Sequence, residues 1–193
     1  MTGSLSWTPR CPSSREAGWA SLVMRISSSA SRFIELPAAE VFDVACRPEN
    51  LIWIKGCFEP RIAEGDGLSP GSTLAWRDLL NREIRFEVLE RRDARFRIRG
   101  FASYGLLEGE LSIEATTDGC EAIWTCHHNP EHLLERILVT VAGPFGRRAS
   151  IRDAENELER LERVVRWHRS GRRGFPLGEG REMLAHLTKN AEP

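Results

Sequence analysis

The chain has 193 residues, 41% hydrophobic and 28% charged, with a formal net charge of −1. This composition fits one soluble globular domain with loose ends, and the near-zero charge argues against a general polyanion binder. A core of about 140 residues buries roughly two-thirds of its unfolded surface, so stability requires neither a disulfide nor a metal.

The five cysteines are Cys11, Cys46, Cys57, Cys120 and Cys126. Their number is odd and no pair has the C-x-x-C spacing. They read as free thiols of a reducing cytoplasm rather than a disulfide framework or a zinc knuckle. No apolar run has the length needed to span a bilayer. The segment AGWASLVM is too weakly apolar, and too closely flanked by Glu16 and Arg25, for a signal peptide. The expectation is a cytoplasmic protein without stable membrane insertion.

Residues 1–27 are rich in Ser, Pro, Arg and Gly. They are expected to form a disordered extension, with Met24 as an alternative start. The first strand is predicted over Ser31–Leu36, on Phe33 and Ile34. Pro37 suits the first position of a helix, where its missing N–H costs nothing. Val41, Phe42, Val44 and Ala45 then recur at helical spacing. Pro48 starts a second turn whose apolar side is Leu51, Ile52 and Trp53. Gly65, Asp66, Gly67, Pro70 and Gly71 mark a loop.

The middle of the chain alternates with period two. Leu74 and Trp76, then Ile84, Phe86 and Val88, then Phe96 and Ile98, then Leu107, Leu111 and Ile113 each share a face. Such alternation predicts antiparallel strands with one buried and one wet face. Asp118-Gly119 fits a tight hairpin turn with positive φ. Ala122, Trp124, Cys126 and His128 form one face of the last strand. On the wet face, Arg85, Arg95, Arg97 and Arg99 lie beside Glu83, Glu87, Glu108 and Glu110. Cross-strand ion pairing explains that row better than a nucleic-acid patch.

After Pro130 the period turns helical, with a stripe of Leu134, Ile137, Leu138 and Val141. Gly143-Pro144 is expected to break or kink it. A longer helix follows on Ile151, Ala154, Leu158, Leu161 and Val165, with Glu159–Arg163 and Glu162–Arg166 as i, i+4 pairs on its outer side. Residues 169–193 read as a flexible tail. The basic cluster Arg163, Arg166, Arg169, Arg172 and Arg173 complements the helix C-terminus. This order of elements predicts an α+β helix-grip architecture: a curved antiparallel sheet of six or seven strands around a long C-terminal helix. Two short helices follow the first strand, and a cavity lies between sheet and helix.

The segments FIELPAAEVFDVACRPENLIWI, SPGSTLAW, IRFEVLERRDARFRIRG and GCEAIWTCHHNP, in that order and spacing, resemble the START-like (SRPBCC) superfamily with the helix-grip fold. The likeness is greatest to its bacterial polyketide cyclase/dehydrase-type members, and it covers residues 28–168. Arg47-Pro48 departs from the Asp-Pro frequent at that place, and Gly143-Pro144-Phe145-Gly146 interrupts the last helical region. The resemblance implies a cavity that takes lipids, hormones, quinones or polyketides, with chemistry in a minority of members; the fold alone does not choose among these.

Candidate ligand contacts are Trp53, Trp76, Tyr104, Trp124 and His128. Aromatic walls suit a flat apolar ligand, although each tryptophan singly is as well explained by core packing. His128, Tyr104 and Asp78 are the candidate acid/base groups for a cyclase-like alternative. The competing descriptions are a strand-end histidine, an edge tyrosine and a turn aspartate. His127 and His128 point to opposite faces, and no convincing metal-ligand set appears. No phosphate loop or nucleophile elbow is present, so no cofactor is expected. The residues favour binding of a small hydrophobic ligand over catalysis, with a non-enzymatic interaction module as a third reading.

Overall fold

The structure, a computed structural model, describes residues 26–78, 81–102, 105–129 and 143–171. Seven antiparallel strands form one sheet in the order β1-β7-β6-β5-β4-β3-β2. They are β1 (Ile26–Ile34), β2 (Phe58–Glu64), β3 (Thr73–Arg77), β4 (Glu83–Arg92), β5 (Arg95–Ala102), β6 (Gly105–Thr116) and β7 (Gly119–Asn129). Helix α1 (Ala38–Ala45) and a 3-10 helix (Pro48–Trp53) follow β1, and the long helix α2 (Gly143–Arg169) packs against β1, β7 and both short helices. This is the helix-grip arrangement expected from the order of elements.

Pro48 opens the 3-10 helix as its first residue, and Pro37 stands one residue before α1. Strand β1 starts five residues earlier than its apolar pattern indicates. The Ser-rich Ile26–Ala30 stretch has weak strand propensity, yet pairs residue by residue with β7, from Ile26 opposite His128 to Ile34 opposite Cys120. Tertiary pairing overrides propensity there. Strand β2 carries no clean alternation. It is an edge strand with Pro60, a positive φ of 51° at Glu59 and two register shifts against β3, features that sheets tolerate at their edges.

The β6–β7 turn corrects the sequence reading. Thr116 pairs with Gly119, so Thr117 and Asp118 make the loop, and neither Asp118 nor Gly119 has a positive φ. Gly119 is needed for a different reason: a Cβ there would lie 2.3 Å from the carbonyl oxygen of Ile34. The turn with two positive φ values is Asp93-Ala94, at 47° and 63°, between β4 and β5, which has the dihedral signs of a type I′ hairpin.

The core lies between the concave face and α2. Leu74, Phe86, Val88, Phe96, Ile98, Leu111 and Ala122 from the sheet meet Ala154, Leu158, Leu161 and Val165 from the helix. Outside, the arginine row is paired with carboxylates. Arg95 and Arg97 reach Glu110 at 3.4 and 3.3 Å, Arg99 reaches Glu87 at 3.1 Å, and Arg85 reaches Glu83 at 3.0 Å. On α2, Glu162 pairs with Arg166 at 2.8 Å and Glu159 with Arg163 at 4.0 Å. Gly143 and Pro144 belong to α2. The stripe from Leu134 to Val141, the extension up to residue 25 and the tail from residue 172 lie outside the described residues. No described helix is long and apolar enough to cross a membrane.

Candidate functional site on the concave face

Side chains of alternate residues on β3 to β7 share the face that looks toward α2. Two glycines interrupt that face, and an aromatic ring lies over each. A Cβ at Gly109 would sit 2.4 Å from the Trp124 ring, and one at Gly100 would sit 2.7 Å from the Phe86 ring. Glycine is required at Gly109 because a planar ring rests on the backbone, and at Gly100 because the Arg85 carbonyl oxygen at 2.4 Å and the Phe86 ring both crowd a Cβ. Trp76 stacks on Phe86 with centroids 4.2 Å apart and planes 11° from parallel. Trp124 meets Trp53 edge-on at 4.9 Å.

Trp53 is wholly buried, and its indole N–H donates to the Ala45 carbonyl at 3.1 Å. Trp124 is 1% exposed and Trp76 4%. Both face inward, as the alternation predicts. Around them Ile62, Ile84, Leu107 and Cys126 are only partly buried while packing on the core, so part of this apolar surface remains reachable.

His128 is partly buried near the end of β7, opposite Leu107 of β6 and on the same face as Cys126 and Trp124. His127 points the other way and bonds Ser27 Oγ through Nδ1 at 3.0 Å. Asp78 closes the β3–β4 connection: its carboxylate accepts bonds from the Arg82 backbone N–H and Nε, both at 2.8 Å. That places it in a turn, away from His128 at the opposite part of the sheet order. Tyr104 lies outside the described residues. The structure therefore gathers Trp53 and Trp124 into one cluster and Trp76 with Phe86 into another.

The sequence reading missed Glu157. It lies on the buried side of α2, between Ala154 and Leu161, and is 6% exposed. One oxygen accepts the Trp124 indole N–H at 2.6 Å, and the other accepts the Lys55 backbone N–H at 2.7 Å. Burial raises the Glu157 carboxyl above its ordinary pKa, against the lowering pull of those two donors. The signal was available: position 157 is three residues after Ala154 and four before Leu161, within the apolar stripe itself.

The four described cysteines are free thiols. Burial pushes Cys57 and Cys126 well up, and the negative charge of Glu157 adds to both shifts. Among the described residues, no group of three His, Cys, Asp or Glu side chains converges as a metal site. An open hollow of about 420 Å³ lies on the opposite, convex face, bordered by Thr73, Arg85, Glu87, Arg99 and Leu106. Its arginines are held by carboxylates, so it offers little free charge.

Residues 25–166 match the family described as polyketide cyclase / dehydrase and lipid transport. Among solved structures, TTHA0849 from Thermus thermophilus is similar at 17% identity and a TM-score of 0.58, over 72% of this chain and 97% of that one. Ara h 8.0201 is similar at 12% identity and a TM-score of 0.53, over 73% and 97%. A Thalictrum norcoclaurine synthase point mutant, solved with a transition-state analogue, is similar at 14% identity and a TM-score of 0.52, over 76% and 97%. These likenesses are of fold. No curated protein sequence matches the chain.

Proposed function

Because the chain belongs to the polyketide cyclase/dehydrase and lipid transport family, we propose that it binds a small hydrophobic ligand, of lipid, polyketide or quinone-like chemistry, on its concave face. The observation that carries this reading is the aromatic lining laid on glycine: Trp124 over Gly109, and Phe86 with Trp76 over Gly100. Beside these buried rings, partly reachable Ile62, Ile84, Leu107 and Cys126 present apolar area to a planar or chain-like guest. Trp76, Trp124 and His128 are the contacts this reading assigns, with Trp53 supporting Trp124 from behind. Tyr104 remains a candidate contact by its place in the sequence.

One observation favours a second reading, a cyclase-like enzyme. Glu157 is a buried carboxylate of raised pKa beside the aromatic lining, and such groups serve as general bases. Catalysis on a polyketide calls for several converging titratable groups. Among the described core residues Glu157 is the only charged one, and the apolar remainder supports binding over turnover.

The test is native mass spectrometry of the protein purified from its own host. Binding predicts a co-purifying apolar molecule, lost in Trp124→Ala. A protein that is always empty and takes up no naphthalene-based fluorescent probe would sink the ligand reading.

A further inference from the structure

The two hydrogen bonds to Glu157 come from neutral donors, the Trp124 indole and the Lys55 backbone amide, one to each oxygen. That pattern asks for an acceptor at both oxygens, and only the ionised carboxylate supplies it without loss. No cationic side chain among the described residues forms an ion pair with it. The Lys55 ammonium goes to Asp153 at 2.7 Å, and the Arg160 Nε donates to the Asn156 carbonyl at 3.4 Å. Arg160 acts on Glu157 only at longer range. A carboxylate buried to 6% exposure without a partner charge carries a desolvation cost that a counter-ion would offset.

The surroundings fit one kind of counter-ion. Trp124 meets the carboxylate through the N–H edge of its ring, and Trp53 packs edge-on against Trp124, so both indoles extend the apolar surroundings of the charge. The thiols of Cys57 and Cys126 are neutral and offer no positive charge. A buried negative charge without an ion-pair partner beside a partly reachable apolar surface selects a hydrophobic molecule ending in a cationic nitrogen.

We propose that Glu157 is the recognition group for a ligand ammonium: an alkyl- or arylalkyl-ammonium whose apolar body lies on the concave face. This rests on the ligand-binding role proposed above and names the chemical class of that ligand. The bound nitrogen meets the carboxylate beside Trp124, and Glu157 keeps its Lys55 bond.

Calorimetric titration with three isosteric probes tests it: 1-naphthylmethylammonium, 1-naphthalenemethanol and 1-naphthoate. The ammonium is expected to bind about tenfold more tightly than the alcohol, the difference that one desolvated charge contact of about 1.4 kcal/mol makes, and the naphthoate more weakly than either. Glu157→Gln should bring the ammonium-to-alcohol ratio to about one. Trp124→Phe, which keeps the carboxylate and removes ring area, should weaken both probes. In the unmodified protein the ratio should fall as acid protonates Glu157, beginning above the ordinary carboxylate range. The groups facing Glu157 are Arg160, which stays charged across that range, the Cys57 and Cys126 thiols, which stay neutral, and the Lys55–Asp153 ion pair. That titration needs no variant and decides the matter even if Glu157→Gln fails to fold. Binding of the alcohol with no preference for the ammonium, or a preference independent of pH, overturns the ammonium assignment and leaves the hydrophobic site standing. No binding by any probe overturns both.

Discussion

The indole N–H of Trp124 and the carboxylate of Glu157 meet at 2.6 Å, so strand β7, next to the sheet edge, is tied to the helix it packs on by a buried hydrogen bond. The same carboxylate holds the Lys55 backbone at 2.7 Å. Three parts of the chain far apart in sequence therefore converge on one side chain: the segment after the 3-10 helix, β7 and α2.

Trp124→Phe removes the donor while keeping most of the ring. It leaves one oxygen of a buried carboxylate without its partner, which costs about 1–3 kcal/mol. Urea denaturation should show a lower midpoint with an unchanged slope. A loss below a few tenths of a kcal/mol would mean that water or another donor replaces the indole.

The pH dependence of stability has a defined sign. Burial raises the folded-state pKa of Glu157 above 4.5, so the native state holds its proton more tightly than the unfolded chain does. Glu157 therefore contributes stability at low pH that is lost as pH rises from the ordinary carboxylate value through its raised one. Glu162 acts oppositely. Partial burial disfavours its charge, but hydrogen bonds from Arg32 and Arg166 outweigh that and lower its pKa. Its contribution is present above the ordinary value and lost as pH falls through the lowered one. Subtracting the Glu157→Gln stability curve from that of the parent should isolate a difference that declines with rising pH above 4.5. A flat difference would contradict the burial assigned to Glu157.

Gly109→Ala tests the ring-on-backbone packing. The new methyl would approach the Trp124 ring to 2.4 Å, and the indole must tilt away. Overpacking of this kind costs about 1–3 kcal/mol. The near-ultraviolet circular dichroism of the tryptophans should change with it. An unchanged spectrum and stability would show that the ring does not rest on Gly109.

Thiol labelling reports the closure of the domain. Burial pushes the Cys46 thiol up to about 12, with Arg91 opposing and Asp43 adding to the shift. Cys57 and Cys120 are also buried and raised. Because the thiolate is the reactive form, these three should react with an aromatic disulfide reagent at pH 8 only through opening, and together once urea unfolds the domain. Fast native labelling of Cys46 or Cys57 would contradict their packing.

Period-two alternation on β3 to β7 and the apolar stripe Ala154, Leu158, Leu161 and Val165 were enough to read the helix-grip arrangement, because burial of one face leaves a pattern in the residues themselves. The inward direction of Trp76 and Trp124 followed from the same parity. Strand β2 and the first half of β1 left no such pattern. Pairing with a neighbour makes them strands, and pairing partners are not written locally. Nothing in the local sequence marks Gly109 and Gly100 as the places where the rings of Trp124 and Phe86 lie. Glu157 is one of many charges on a charged helix. Its burial follows from the packing of α2 on β7 and the Lys55 segment, which desolvates whatever occupies that position. Hydrophobic periodicity along the chain was thus sufficient for the architecture. The place of the buried charge, and the rings around it, emerged only in the packed molecule, since desolvation and hydrogen-bond partners depend on contacts between residues as distant as Lys55, Trp124 and Glu157.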